Sequence, residues 1–70
     1  MDFEWIDGYR IGVTIRGGTV VISANREGLQ SLASHLLSLS EDLIPGAHFH
    51  LDAYTALEDG SAELIVERVE

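Results

Sequence analysis

The sequence predicts an α+β domain of two layers, in which one helix packs on one face of a five-stranded sheet. Five short segments rich in apolar, β-branched or aromatic residues are separated by turn residues, which is typical of strands. A single stretch, between the third and fourth of these segments, repeats its apolar residues with helical spacing. The predicted order is therefore βββαββ, with an antiparallel or mixed sheet, in a single domain that spans residues 1–70.

The N-terminal part predicts an antiparallel meander of three strands. Residues 3–6 form the first strand, and Asp7-Gly8 follows as a two-residue type I′ hairpin turn. Residues 9–16 alternate strictly between apolar and polar side chains, the pattern of a half-buried strand. Gly17-Gly18 is a second tight turn, and residues 19–23 are rich in the β-branched residues that favour strands.

One amphipathic helix follows, with Asn25 as a favourable N-cap. Glu27 lies in its first turn, where the helix dipole favours an anion. The apolar stripe consists of Leu29, Leu32, Ala33, Leu36, Leu37 and Leu43. The polar residues between them, Ser31 and His35 included, are expected on the outer, solvated side.

Gly28 lies within this first turn and costs about 1 kcal/mol there relative to alanine. Either a close approach of another backbone or simple tolerance explains it. Pro45-Gly46 marks the end of the helical segment.

Two further strands are predicted at residues 47–54 and 62–69, joined by a loop that contains a turn. A right-handed crossover would place the fourth strand parallel to the third. The fifth strand would then pair beside the first, giving the sheet order 3-2-1-5-4 when the predicted strands are numbered along the chain.

Register assigns the side chains of these strands to faces, because alternate residues point to opposite sides of a sheet. The Gly17-Gly18 turn pairs Ile15 with Val20 and Val13 with Ile22, and these residues face the helix. The Asp7-Gly8 turn pairs Ile6 with Tyr9 and Trp5 with Arg10, so Phe3 and Trp5 lie with Arg10 on the open face.

In the fourth strand Phe49, Leu51 and Ala53 point inward, so His48, His50 and Asp52 point to the open face. In the fifth strand Leu64 and Val66 point inward, and the outward residues are Glu63, Ile65 and Glu67. The open face therefore combines aromatic, basic and acidic side chains, and Trp and Arg are frequent anchors of binding surfaces.

The charge is strongly acidic, with twelve carboxylates against four arginines and no lysine, a net charge of −8. Such a field repels nucleic acid and anionic membranes and attracts basic partners. Solubility alone is the simpler explanation. The chain has no cysteine, no apolar targeting segment at its start and no apolar run long enough for a bilayer, so we expect a cytoplasmic protein.

The spacing of His48, His50 and Asp52 also allows a metal site for zinc or iron, since these residue types are common ligands. An ordinary polar strand face shows the same alternation. The sequence contains no glycine-rich phosphate loop, no nucleophile elbow and no cysteine nucleophile. We therefore expect neither an enzyme nor a cofactor.

Three runs of sequence resemble the immunity protein 32 family of bacterial polymorphic toxin systems, over about residues 23–69. They are "SANREGLQSLASHLLSLS", "GAHFHLDAY" and "LEDGSAELIVERV". The resemblance implies a small cytoplasmic protein that binds and neutralises a toxin domain. A basic toxin would suit the acidic charge.

We expect the partner to contact the open face and the loop before the fifth strand, through Trp5, Arg10, His48, His50, Asp52, Glu58 and Glu63. The partner is a protein, with no nucleic acid and no membrane. Two alternatives remain at this point: a small metal-binding protein, and a homodimer that pairs through the open sheet face or an edge strand. Phe3, Trp5 and Ile65 motivate the dimer.

Overall fold

The computed structural model describes residues 4–70 and contains four strands and one helix within them. Their order along the chain is β1 (Ile11–Arg16), β2 (Thr19–Ala24), α1 (Arg26–Glu41), β3 (His48–Leu51) and β4 (Leu64–Glu67). The strands form two separate antiparallel hairpins, β1–β2 and β3–β4. The α+β class is confirmed, but the prediction of one five-stranded sheet is wrong.

The first hairpin follows the predicted register. Gly17 and Gly18 both have positive φ, 54° and 85°, as a type I′ turn requires. Ile15 lies opposite Val20, and the pairing continues in register to the far end of the hairpin. Ile11 and Val13 on β1 are fully buried and contribute to the core. Ile15, Val20 and Ile22 were also predicted to face the helix, which is wrong, because they are 41–63% exposed towards the turn end of the hairpin.

The segment before β1 is not a strand in its described part, residues 4–10, and Phe3 lies outside the described residues. The Ile6 carbonyl accepts from Tyr9 N–H at 3.1 Å, but only Gly8 in this turn has positive φ. That is a type II geometry, so the predicted type I′ hairpin is wrong. The physical reason is that Ile6 N–H donates to the hydroxyl of Ser31 on the helix, so the segment packs on α1 rather than pairing with β1.

Part of the loop before β4 occupies the free edge of β1 instead. The Ile11 carbonyl accepts from Glu58 N–H, and the Val13 carbonyl accepts from Ala62 N–H, both at 2.8 Å. Val13 N–H donates to the hydroxyl of Ser61 at 3.1 Å. Because a turn from Glu58 to Ser61 interrupts this contact, the loop joins the two hairpins without forming a continuous ladder.

The second hairpin confirms that the fourth and fifth predicted strands are antiparallel neighbours. Both strands are shorter than predicted, four residues each. β3 ends before Asp52 because the Asp52 carbonyl accepts from three successive backbone N–H groups, those of Thr55, Ala56 and Leu57. Ala53, predicted as a core residue of the strand, is only half-buried within this turn.

Helix α1 begins as predicted. The carboxamide oxygen of Asn25 accepts from Gly28 N–H at 2.8 Å and from Arg10 N–H at 2.9 Å, and its amide donates to the Gly8 carbonyl. The N-cap therefore also holds the chain that precedes β1. A Cβ at position 28 would collide with the Arg10 carbonyl oxygen and press on the side chain of Ala24, so the close backbone approach explains this glycine.

The buried face of α1 differs from the predicted stripe. It consists of Gly28, Ser31, Leu32, His35 and Leu39. Leu29, Leu36 and Leu37 are instead 44–62% exposed, and Leu43 follows the helix. Ser31 and His35, predicted on the outer side, have no exposed surface. The residues at positions 28 and 31 are small, so another segment of backbone can approach the helix on this face. This close approach decides which face of α1 is buried, and the larger leucines stay exposed.

The core lies between α1 and the two hairpins. Its buried apolar residues are Ile11, Val13, Leu32, Leu39, Phe49, Leu51 and Leu57. The first hairpin contributes β1 to this cluster, and the second contributes β3. The helix therefore shares one core with two sheets that are not continuous with each other.

Candidate functional site

The second hairpin presents a polar outer face, as its alternation predicts. Phe49 and Leu51 are 3% and 5% exposed, whereas His48 and His50 are exposed. On β4, Leu64 and Val66 pack against the core, and the outward residues are Glu63, Ile65 and Glu67. The predicted facing of β3 and β4 is therefore confirmed.

His50 is the centre of a small group of polar side chains on this face. Its Nε2 atom lies 3.1 Å from a carboxylate oxygen of Glu63 and 3.8 Å from one of Asp52. Asp52 is also engaged locally, because its carboxylate accepts from Tyr54 N–H and from the Thr55 hydroxyl. The side chains of His50 and Glu63 are 44% and 68% exposed, so solvent screens their interaction and its contribution to stability is small.

The metal-site interpretation of His48, His50 and Asp52 finds no support. Among residues 4–70, no group of three His, Cys, Asp or Glu side chains is arranged to hold a metal ion. The Nδ1 atom of His48 is instead 3.3 Å from the Gly46 carbonyl oxygen. The three residues therefore share a region of the surface without forming a ligand set.

Among residues 4–70, no strand pairs with β3 on the side opposite β4, and we call that side its free edge. Arg68 N–H donates to the Ala47 carbonyl at 2.9 Å, and the register places His48 opposite Glu67. In an antiparallel ladder this bond makes His48 and Glu67 a non-hydrogen-bonded pair, whose backbone groups point away from each other.

The two kinds of pair alternate along the ladder, so His50 has the same orientation as His48. The backbone N–H and C=O groups of both histidines therefore point away from β4. Within residues 4–70, no other backbone group bonds to them. These groups form a short row of donors and acceptors along the free edge.

A groove of about 480 Å³ lies against β3. It is lined by residues 48–51, the histidine wall, and by Trp5 and Tyr9, the aromatic wall. These two rings stack with centroids 4.6 Å apart. Thr55 and Ala56 complete the lining. The groove therefore combines backbone hydrogen-bonding groups with an aromatic surface.

Two further depressions follow from the groove through shared lining residues. The first shares Tyr9, Thr55 and Ala56 with the groove and extends to Arg10 and Glu58. The second also contains Arg10 and Glu58. We call the groove and these depressions the furrow. Five of the seven predicted contact residues line it: Trp5, Arg10, His48, His50 and Glu58.

Trp5 lines the same groove as His48 and His50, but its position in the fold differs from the prediction. It does not pair with Arg10 on an open sheet face, but packs on the helix, with its ring centroid 4.2 Å from that of His35. Ile65 is exposed on the outer face of β4, so Trp5 and Ile65 do not share the face on which the predicted dimer relied.

Ser31 and His35 position the furrow. Their polarity predicts that they are exposed to solvent, and this prediction is wrong. The Ser31 hydroxyl donates to the Glu27 carbonyl and accepts from Ile6 N–H. The Ser31 carbonyl accepts from His35 Nδ1–H at 2.7 Å. Ser31 and His35 lie three and seven positions after Gly28, on the same face of the helix. This spacing could have revealed them, because a small residue such as Gly28 marks the face of a close helix contact.

The model of one protein family, immunity protein 32, matches residues 19–69. The chain belongs to the immunity protein 32 family. This confirms the resemblance noted over residues 23–69. No curated protein and no solved structure matches the chain.

In this immunity protein 32 chain, the matched range contains α1 and the whole second hairpin, and therefore the histidine wall of the groove. Trp5, Tyr9 and Arg10 precede it. The furrow is thus lined partly by His48 and His50, which lie inside the matched range, and partly by Trp5 and Tyr9, which lie outside it. In the described part of the chain, no helix is long and apolar enough to cross a membrane.

Proposed function

We propose that this protein is an immunity protein that binds a cognate bacterial toxin domain in the cytoplasm and neutralises it. The observation that carries the proposal is the family match over residues 19–69. In this proposal the protein is a stoichiometric inhibitor rather than an enzyme, and it acts by covering part of the toxin surface.

The surface of the second hairpin supports the proposal. His50, Asp52 and Glu63 are grouped on one face of the second hairpin, and Trp5 and Arg10 line the adjoining furrow. Binding surfaces frequently place aromatic and arginine side chains at the centre and charged groups at the rim. We assign the contact with the toxin to these residues together with His48 and Glu58.

The net charge of −8 supports a basic toxin. An acidic protein is steered towards a basic surface, which raises the association rate before any close contact forms. Fast association matters for an antidote, because the toxin must be captured before it reaches its target. Toxin domains that act on nucleic acid carry such basic surfaces.

Co-expression with the toxin encoded beside this gene tests the proposal. Cells that carry both proteins should survive, and the two proteins should co-purify. A catalytically inactive toxin serves as the control for complex formation without selection. Cells that die as fast as those without this protein, together with the absence of a complex, would refute the proposal.

The stoichiometry of protection separates an inhibitor from an enzyme. In a titration of purified toxin activity, an inhibitor abolishes the activity only when it reaches about one equivalent. Full protection by a small fraction of an equivalent would instead indicate a catalytic modification of the toxin, and it would contradict the mechanism proposed here.

A further inference from the structure

We propose that the free edge of β3 accepts an extended, basic segment of the partner as an additional strand. The identity of this partner as a toxin rests on the proposed function above. The mode of binding rests on separate observations: the outward backbone groups of His48 and His50, the aromatic wall beside them, and the distribution of carboxylates.

The backbone of β3 sets the first requirement for the occupant. The N–H and C=O groups of His48 and His50 point to the free edge, where they offer alternating donors and acceptors. Another extended chain has the same repeat and can satisfy both residues at once. A helix or a compact loop has its own backbone groups already paired and cannot do this.

The two sides of the groove set the second requirement. Successive side chains of an added strand point to opposite faces. On the helix side they would meet Trp5, Tyr9 and the margin of Phe49. On the outer side they would meet His48 and His50, which are exposed. The occupant should therefore alternate between apolar residues and long polar residues.

The charge of the outer side decides the sign of those polar residues. Glu63 lies beside His50, Glu67 lies opposite His48 in the register, and Asp52 follows the end of β3. The added strand lies two strands, about 10 Å, from β4, and the side chains of lysine and arginine are long enough to extend over β3 towards these carboxylates.

A second copy of this chain fits the same edge less well. Pairing two β3 edges would bring two sets of these carboxylates together, and each chain carries a net charge of −8. Like charges across an interface are unfavourable. We therefore assign the edge to a basic partner segment and treat self-association as a competing outcome of the experiment.

Two substitutions at one position test the backbone contact. His50→Pro removes an N–H that points to the free edge and leaves the ladder with β4 intact, because proline is tolerated where the N–H faces outward. His50→Ala removes the side chain and keeps the N–H. We expect His50→Pro to weaken the complex with the toxin about tenfold or more, and His50→Ala to change it only about twofold to threefold.

The outcomes are distinct. Equal affinities of the two variants and the unsubstituted protein for the toxin would overturn the strand-addition mode and leave the proposed function standing. Absence of any complex with the unsubstituted protein would refute the proposed function. Circular dichroism and a thermal melt of each variant show whether the substitution leaves the fold intact.

A peptide experiment is independent of the toxin and of folding defects. The unsubstituted protein is titrated with a short synthetic peptide in which Lys and Arg alternate with Val, and amide hydrogen exchange is followed by NMR. Protection of the amides of His48 and His50, and shifts of the Trp5 indole signal, are the expected result. The same peptide with every second backbone nitrogen methylated cannot form the ladder and should not protect them.

Protection that is equal with both peptides, or confined to residues outside the groove, would overturn the inference. So would a concentration-dependent protection of His48 and His50 in the absence of any peptide. That result would assign the edge to a second copy of the chain, and sedimentation would then show a dimer.

Discussion

The indole of Trp5 packs on the imidazole of His35, with ring centroids 4.2 Å apart and planes inclined by 54°. The opposite neighbour of His35 is Phe49, at 5.6 Å and nearly perpendicular. One buried histidine of the helix therefore connects the aromatic wall of the groove to the strand that forms its other wall.

Replacement of His35 by alanine should lower the free energy of unfolding by about 2–4 kcal/mol. The side chain is fully buried, and truncation leaves a cavity between two aromatic rings and removes the hydrogen bond from the imidazole to the Ser31 carbonyl. Urea unfolding monitored by circular dichroism measures the change. His48→Ala is the matched control, because that histidine is exposed, and it should change the stability by about 0.5 kcal/mol or less.

Replacement of Ser31 by alanine should release the N-terminal segment from the helix. The Ser31 hydroxyl is the acceptor for Ile6 N–H at 2.9 Å, and its loss should cost about 1–2 kcal/mol. The Trp5 fluorescence should shift to longer wavelength as the indole enters water. Ser40→Ala is the control, since that hydroxyl bonds only backward to Leu37 on the exposed side of the helix; an equal shift in both variants would contradict the role assigned to Ser31.

Replacement of Gly28 by alanine should destabilise the protein although alanine favours helices. The helical preference alone predicts a gain of about 1 kcal/mol. The new methyl group would collide with the Arg10 carbonyl, which is backbone and cannot move aside cheaply. We expect a net loss of about 1–3 kcal/mol in urea unfolding. Gln30→Ala in the same helix is exposed and should be neutral or slightly stabilising.

Local sequence patterns predicted the features of the fold that depend on residues close together in the chain. The Gly17-Gly18 turn specified the register of the first hairpin, and Asn25 specified the helix start. The alternation around Phe49 specified which side of β3 is buried. In each case the information lies within a few residues, and a turn, a cap or a strand periodicity determines the outcome.

The assembly of these parts could not be predicted in the same way. Apolarity favoured a helix face with Leu29 and Leu36, whereas close backbone contact at Gly28 selects the face that buries His35. Likewise, Phe3 to Ile6 had the composition of a strand, but one hydrogen bond to Ser31 directs its described part to the helix. These contacts join residues far apart in the chain, and periodicity carries no signal for them.

Three of the predicted binding residues, Trp5, His48 and His50, line one groove, but by a different arrangement from the predicted open sheet face. Trp5 and His50 line one groove, although Trp5 reaches it from the helix and His50 from β3. The prediction chose residue types that are frequent in binding surfaces, and this choice does not depend on the order of the strands in the sheet. The free edge of β3 follows from the separation of the described strands into two hairpins, which composition could not reveal.

Replacement of Ser61 by alanine should weaken the junction between the two hairpins. Val13 is 1% exposed, and its N–H donates to the Ser61 hydroxyl. Alanine would leave this buried donor unpaired, at a cost of about 1–3 kcal/mol in urea unfolding. Ser23→Ala is the control, because that serine is exposed on β2. Equal stability of the two variants would show that the loop contributes nothing to this junction.

Association with the toxin should depend strongly on salt. If the charge of −8 steers the encounter, the association rate should fall about tenfold or more between about 50 mM and about 500 mM NaCl, while the dissociation rate changes little. Stopped-flow fluorescence of Trp5, the only tryptophan of the chain, can follow the reaction if the toxin is replaced by a variant without tryptophan.

The position of the acids gives this prediction a matched control. The double substitution Glu63→Gln with Glu67→Gln removes two charges beside β3, and Glu41→Gln with Glu70→Gln removes two exposed charges outside the furrow. Both variants have the same net charge. Because steering is strongest near the contact surface, the first pair should slow association more at low salt, and the two variants should converge at high salt. Equal rates at low salt would mean that the toxin does not approach the acids of the second hairpin.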